Sequence, residues 1–222
     1  MNIPKRTPRH WELLVTLLVM QIGQSFLSAD QWMQRLVFNI LFLAVILSAI
    51  RALSYSRLRR RVAASIGSLA FILASIAEFH PTWIVSLLTT ACYLAVFAIL
   101  LLSLSERVFR SGDVDLDRIA GAANLYLLLG ILFALIFTML EIMQPGSFAM
   151  TETVSADGAG QGLVSALIYF SNVTLTTLGY GDVLPVTRPA RTLATLEAVF
   201  GQLYLAVFMA RLVGMHIANA TR

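Results

Sequence analysis

Long apolar segments recur along almost the whole chain, and they constrain its fold more than any other feature. Of the 222 residues, 58% are hydrophobic and only 13% are charged, a balance far from that of a soluble globular domain. A helix needs about 20 apolar residues to cross the hydrocarbon core of a bilayer, which is roughly 30 Å thick. We therefore expect an all-α integral membrane protein without a soluble domain. The same composition argues against nucleic-acid binding.

Six of these segments are interpreted as membrane-spanning helices, and a seventh is too short to span. The short segment, 163–175, follows a stretch rich in small and polar residues. It predicts a re-entrant helix, because irregular backbone is tolerated at membrane depth only where protein or a water-filled cavity surrounds it. The six predicted spans are 13–28, 36–53, 62–77, 83–104, 119–143 and 191–217.

Basic residues are distributed unevenly between the two sides that this layout defines. Only Arg35, Arg188 and Arg191 fall on one side, and the other 13 of the 16 lysines and arginines fall on the opposite side. Cytoplasmic loops carry an excess of Lys and Arg. We therefore predict a multi-pass protein of the cell membrane with both termini in the cytoplasm, and a re-entrant segment that enters from outside.

The stretch from Thr174 to Asp182, which begins in the last residues of the re-entrant segment, reads TLTTLGYGD. Glycines on both sides of one tyrosine allow backbone dihedrals that are closed to other residues, so carbonyl oxygens can be turned toward a common point. In potassium filters, rings of carbonyls from four such strands replace the hydration shell of the ion. This stretch therefore predicts a potassium-selective pore.

On these residues the chain resembles the potassium channel superfamily, specifically its small bacterial members with six spans and one pore loop per chain. The resemblance is strongest over 163–214. It implies a homotetramer in which backbone carbonyls bind K+, with the Thr177 hydroxyl at the cytoplasmic end. No cofactor other than the permeant K+ is expected. The implied ion-binding residues are Thr177, Leu178, Gly179, Tyr180 and Gly181.

The residues around this motif follow the family pattern only in part. The family usually has Val or Ile where this chain has Leu178, and the loss of β-branching relaxes the side chain, so selectivity is expected to survive while inactivation is left open. In the family, the aspartate that ends the motif is bonded to a polar group on the pore helix. For Asp182 we predict the Tyr169 hydroxyl as that partner, although Tyr169 could instead be an interface aromatic. Thr176 is predicted to support the filter, and Val173 to contribute only packing.

Two residues of the last predicted span carry further expectations. Glu197 is a carboxylate inside a membrane helix, which is costly unless it faces water or a partner. It could support the filter or belong to an ion-attracting ring, and its spacing favours the supporting role. Gly201 lies where the family has its hinge glycine, but close helix packing would explain a small residue there equally.

The chain is expected to divide into a four-helix membrane domain (1–104), a cytoplasmic linker (105–118) and a pore domain (119–222). The first domain resembles a voltage sensor without gating charges, since the fourth predicted span contains no charged residue. Steep voltage gating is therefore not expected. A basic cluster precedes the third span, in a predicted cytoplasmic loop where anionic lipids would contribute about 1 kcal/mol per residue. The cluster consists of Arg57, Arg59, Arg60 and Arg61.

A potassium channel is the leading hypothesis, and three others stay open. The first is a weakly selective cation channel, for which Leu178 is the only hint. The second is a potassium transporter subunit, although such transporters contain four pore loops per chain and this chain has one. The third is a non-conducting modulatory subunit of another channel. No catalytic constellation accompanies a cavity-forming segment, so an enzyme is not expected.

Overall fold

The computed structural model describes residues 9–26, 31–52, 57–79, 82–109, 116–150 and 161–220. Within these ranges the chain consists of helices, two short strands and the loops beside the strands, 144–147, 176–182 and 186–187. The elements in chain order are α1 (Arg9–Phe26), α2 (Gln31–Ala52), α3 (Arg57–Phe79), α4 (Trp83–Val108), α5 (Leu116–Met143), β1 (Phe148–Met150), α6 (Gln161–Leu175), β2 (Val183–Pro185) and α7 (Arg188–Ala220).

Four of the described helices contain a stretch long and apolar enough to cross a membrane. These stretches are Arg57–Ala77, Trp83–Val108, Leu116–Met143 and Arg188–Arg211, in α3, α4, α5 and α7. Shorter apolar stretches, His10–Gly23, Asn39–Ser48 and Gly162–Leu175, lie in α1, α2 and α6. The expected helical membrane architecture is confirmed at this level, and α6 has only 15 residues.

The basic cluster before the third predicted span lies in a helix, so its assignment to a loop was wrong. α3 begins at Arg57, whereas hydropathy predicted a start at 62. Arg and Leu are good helix formers, and long basic side chains can reach from a helix end into polar surroundings, so charge does not end the helix. Arg59 also pairs with Glu106 of α4 at 2.8 Å. The helical residues concerned are Arg57, Arg59, Arg60 and Arg61.

The connection between α4 and α5 is shorter than the predicted linker 105–118. α4 continues to Val108 and α5 begins at Leu116, while 110–115 lie outside the described residues. The Phe109 N–H donates to the Ser105 carbonyl at 2.9 Å, which completes the last turn of α4. Hydropathy marks where a helix leaves the hydrocarbon, not where its hydrogen bonds end. For the same reason α1, α2 and α7 begin several residues before their predicted starts.

The first four helices contact α5 of the same chain through α1 and α4. Two hydrogen bonds tie α1 to α5: Asn124 Nδ2 donates to the His10 carbonyl at 2.8 Å, and the His10 N–H donates to Asp117 Oδ1 at 3.2 Å. Asp117 therefore belongs to the first turn of α5 and not to a solvated linker. One core cluster joins these helices, and it includes the buried residues Leu17, Phe42, Phe97 and Leu128.

A second core cluster joins the end of α5 to α6 and to the two strands. β1 and β2 pair antiparallel, with Ala149 opposite Leu184. Phe137 of α5, Phe148 of β1 and Phe170 of α6 have ring centroids 5.3 to 5.4 Å apart. This strand pair, which the sequence did not predict, fixes the chain directly after the TLTTLGYGD stretch against the helices that precede it.

A carboxylate holds the turn between α5 and β1. α5 ends at Met143, and Pro145 cannot continue the helix. Glu141 then accepts two backbone hydrogen bonds, one on each oxygen: from Gly146 N–H at 2.7 Å and from Phe148 N–H at 3.0 Å. Gly146 has a positive φ of 84°, which glycine adopts without strain. This turn directs β1 toward β2.

Candidate functional site

The segment after α6 alternates between two backbone conformations. Thr177, Gly179 and Gly181 have positive φ angles of 60°, 63° and 80°, whereas Leu178 and Tyr180 between them do not. In an ordinary extended strand successive carbonyls point to opposite sides. A change of handedness at every second residue brings them to the same side. The segment 177–181 therefore has the backbone needed to present a row of carbonyls along one face.

The N–H groups of residues 176–179 donate back to the last turn of α6. Leu178 and Gly179 share the Val173 carbonyl, at 2.9 and 3.4 Å, and the two residues before them bond carbonyls of the same turn at 3.0 Å. Among the described residues, no donor bonds the carbonyls of 177–180. The same ranges contain no group of three His, Cys, Asp or Glu side chains that could hold a metal. The carbonyls of this segment are candidate cation ligands because its alternating backbone turns them to one face.

Thr177 is the residue of this segment whose conformation the sequence did not predict. Glycine accounts for positive φ at 179 and 181, but a β-branched residue at φ 60° is an outlier. Such a conformation costs of order 1–3 kcal/mol and persists where the surrounding structure enforces it, most often at functional sites. Here the enforcement comes from the hydrogen bonds of 176–179 to α6. The spacing of the motif could have predicted this conformation, because positive φ recurs at every second residue.

Asp182, at the end of the motif, is bonded on both carboxylate oxygens. Tyr169 Oη of α6 donates to Oδ2 at 2.6 Å, and the Val183 N–H donates to Oδ1 at 3.1 Å. The hydrogen bond that the sequence predicted between Tyr169 and Asp182 is therefore present. It joins the start of β2 to α6, on the far side of the motif from Thr177. Its effect on ion conduction stays a prediction.

Three other motif-related residues differ in their surroundings. Val173 has a buried side chain, as expected for packing, but its carbonyl also receives two N–H groups of the segment. Thr176 Oγ1 donates to the Asn172 carbonyl at 2.7 Å, which extends the end of α6. Leu178, which stands where the family usually has Val or Ile, is 56% exposed within one chain. Its packing would therefore need contacts from another chain.

Glu197 of α7 is fully buried, at 0% exposure, where α7 meets α6 and α5. Ser171 Oγ contacts Glu197 Oε1 within hydrogen-bonding distance and lies 2.6 Å from the Gly130 carbonyl. This burial agrees with a role in supporting α6 and leaves little room for an ion-attracting ring. The sequence pointed to Glu197 but not to its partner Ser171, nor to Gly130, which Ser171 contacts, because both lie on other helices and belong to no local pattern.

Gly201 of α7 touches the last carbonyl of α6. A Cβ on Gly201 would lie 2.6 Å from the Leu175 carbonyl oxygen, closer than carbon atoms approach oxygen without a shift of one helix. Close packing therefore accounts for this glycine, while its role as a hinge stays a prediction. Tyr126 Oη of α5 donates to the same carbonyl at 3.0 Å. Sequence reasoning missed Tyr126, because nothing local distinguishes it from an ordinary helix aromatic.

A comparison with known families matches the part of the chain that contains this site. Residues 125–217 fit the model of a family described as ion channel. The matched range contains most of α5, all of α6, the segment with alternating backbone and most of α7. The region that similarity identifies is therefore the region in which the polar contacts described above are concentrated.

Similar proteins are found in two bacteria. The inward rectifier potassium channel Kirbac3.1 of Paramagnetospirillum magnetotacticum is 37% identical over 88 residues, which cover 38% of this chain and 24% of that protein. Protein LctB of Bacillus caldotenax is 32% identical over 125 residues, which cover 53% of this chain and 90% of that protein. The chain thus spans about a quarter of the first relative and most of the second. No solved structure gives a significant match.

Proposed function

Because the chain belongs to the ion channel family, within the potassium channel superfamily, we propose that it is a subunit of a potassium-selective channel through which K+ passes down its gradient. The observation that carries this function is the alternating backbone of 177–181, together with carbonyls that no described donor occupies. The family is one of channels, so the chain is not an enzyme.

In this function, K+ is held by backbone oxygens in place of its water shell. The carbonyls of Thr177, Leu178, Gly179 and Tyr180 are the ligands, and Gly181 supplies the next inversion of the backbone. The Thr177 hydroxyl completes the cytoplasmic end. Carbonyl rings select K+ through their size and the field of their dipoles, so K+ is the permeant ion and no further cofactor takes part.

The incomplete surroundings of this segment support a homotetramer. One chain supplies only one quarter of a carbonyl ring, and its Leu178 and Tyr180 side chains are 56% and 67% exposed. Large apolar residues of α7 are exposed as well, and four copies around an axis would cover part of both groups. The exposed α7 residues are Leu196, Val199, Phe200, Leu203, Leu205, Val207 and Met209.

The proposed membrane arrangement has six spans, formed by α1 to α5 and α7, with α6 as a re-entrant pore helix that enters from outside. α5 to α7 form the pore domain and the four helices before them a sensor-like domain without gating charges. Both termini are cytoplasmic, as the placement of basic residues predicts. In this orientation α3 begins, and α4 ends, at the cytoplasmic face of the cell membrane.

The start of α3 is proposed to contact anionic lipids. Arg57, Arg60 and Arg61 are exposed on one helical turn, where each would gain about 1 kcal/mol from an anionic leaflet. Arg59 contributes less, because it is paired with Glu106. Phosphatidylglycerol-containing vesicles should therefore bind the purified protein more tightly than neutral vesicles do.

The experiment that tests conduction is K+ flux from liposomes that contain the purified protein alone. Gly179→Ala is expected to reduce flux at least about tenfold, since an L-residue at positive φ costs roughly 1–2 kcal/mol and the carbonyl row would be disturbed. Gly146→Ala is the matched control, because Gly146 also has a positive φ and open space around its Cα but lies outside the motif. Equal loss in both variants would contradict the assigned filter.

Reversal potentials in mixed K+ and Na+ separate the leading function from a weakly selective cation channel. A potential that follows the K+ gradient supports K+ selectivity, and one near zero supports the weakly selective cation channel. If the wild-type protein gives no flux alone, a modulatory or transporter subunit becomes the better explanation. Co-reconstitution with a conducting channel would then be the deciding measurement.

A further inference from the structure

Three helices meet at a buried serine, ten residues before Gly181. Ser171 of α6 contacts Glu197 Oε1 of α7 on one side and lies 2.6 Å from the Gly130 carbonyl of α5 on the other. All three groups are oxygens, and both Ser171 and Glu197 are fully buried. Both contacts therefore depend on where the protons lie.

Few protons are available to these three oxygens. A serine hydroxyl has a single proton, and a backbone carbonyl can only accept. A hydroxyl proton aimed at one acceptor leaves the other contact without a proton, and one shared between two acceptors bonds both weakly. Because two unprotonated oxygens repel each other at hydrogen-bonding distance, two full hydrogen bonds need a second proton. Glu197 is the group of the three that can carry it.

The surroundings of Glu197 agree with a neutral acid. Among the described residues no basic side chain forms an ion pair with it, and its Oε2 is buried without a hydrogen-bond partner. A carboxylate with one hydrogen bond and no cation is costly inside a membrane protein. The nearby Tyr126 hydroxyl does not donate to Glu197, because it donates its proton to the Leu175 carbonyl.

We propose, building on the pore proposed above, that Glu197 is a positioning residue that acts in its protonated form: it donates to Ser171, which donates to the Gly130 carbonyl and so locks α6 between α7 and α5. Ser171 lies directly before Asn172, Val173 and Thr174, whose carbonyls receive the N–H groups of 176–179. Through α6, Glu197 therefore sets the position of the carbonyl row.

Glu141 provides a matched contrast within the same chain. Both of its oxygens accept backbone N–H groups, so Glu141 acts as an acceptor and gains nothing from a proton. Replacement by glutamine turns one acceptor oxygen into a donor. Glu197→Gln keeps a donor for Ser171 and remains uncharged, whereas Glu141→Gln loses one of two hydrogen bonds. The same substitution should therefore be tolerated at 197 and harmful at 141.

The first measurement is infrared spectroscopy of the assembled wild-type protein in detergent at neutral pH. A protonated carboxylic acid has a C=O stretching band well separated from the bands of carboxylates. We expect this band in the wild-type protein, its loss in Glu197→Gln, and its persistence in Glu141→Gln. If Glu197→Gln removes only carboxylate bands, Glu197 is ionised and the assignment fails. The result does not depend on conduction. A protein with the band but without flux would contradict the proposed channel function, and it would still support a protonated Glu197.

The second measurement separates positioning from simple space filling. Glu197→Leu keeps the bulk but leaves Ser171 without a donor, and it should reduce K+ flux at least about tenfold more than Glu197→Gln does, since unpaired buried polar groups are costly. Glu197→Gln should restore both flux and the thermal stability of the assembly. If Glu197→Gln and Glu197→Leu reduce flux and thermal stability equally, the proton donated by residue 197 has no role. Should Glu197→Leu not assemble at all, Ser171→Ala in its place removes the link and should shift the acid C=O band, and an unmoved band would overturn the contact.

Discussion

At the scale of single residues, Gly201 shows how little space separates α7 from α6. In Gly201→Ala the new Cβ would lie 2.6 Å from the Leu175 carbonyl, and overpacking of this kind costs about 1–3 kcal/mol. We expect lower thermal stability of the detergent-solubilised assembly and reduced flux. Gly23→Ala is the control, since its Cβ would make an ordinary 3.4 Å contact with Leu41. If Gly201→Ala is as stable as Gly23→Ala, the close contact is not part of the folded protein.

A second residue-scale prediction concerns Tyr169. Tyr169→Phe removes the 2.6 Å hydrogen bond to Asp182, which we expect to cost about 1 kcal/mol, because exposure at this site reduces the 1.5–3 kcal/mol typical of bonds to charged groups. K+ currents should decline faster during sustained opening. Tyr204→Phe removes a bond of equal length, to the Ala122 carbonyl, and should leave that decline unchanged. An unaltered time course in Tyr169→Phe would leave Tyr169 as an interface aromatic.

At the scale of elements, one aromatic ring packs β1 against two helices. Phe148 packs against Phe137 of α5 and Phe170 of α6, so Phe148→Ala should open a cavity that costs about 3–5 kcal/mol. The thermal midpoint of the assembly should fall accordingly. Leu184→Ala on β2 changes an exposed side chain and should have a small effect. A similar fall in both variants would mean that the aromatic cluster does not anchor the strands.

The elements also show what a sequence can and cannot predict. Apolar runs and the spacing of glycines predicted the helices and the motif, because both depend on residues close in sequence. The strand pair, the Ser171–Glu197 contact and the Tyr126–Leu175 bond were not predictable, since each joins residues 26 to 49 positions apart or pairs three-residue strands. The helical start at Arg57 was missed for another reason: hydropathy measures membrane depth and not helical hydrogen bonding.

At the scale of the whole molecule, the described part of α4 carries charge only in its last turn, at Glu106 and Arg107. A charge that crosses the full field contributes about 2.3 kcal/mol per 100 mV, and α4 has no row of such charges to move. We therefore expect conductance that is nearly flat against voltage in planar bilayers. A steep sigmoid would contradict this expectation and would require gating charge elsewhere in the chain.

The hydrogen bonds between His10 and α5 have a consequence for assemblies of unlike copies. Because α1 and α4 contact α5 of their own chain, a change in the first four helices acts first on α6 of the same chain. In the assembly proposed above, such a change would therefore enter the shared ring through the altered copies alone.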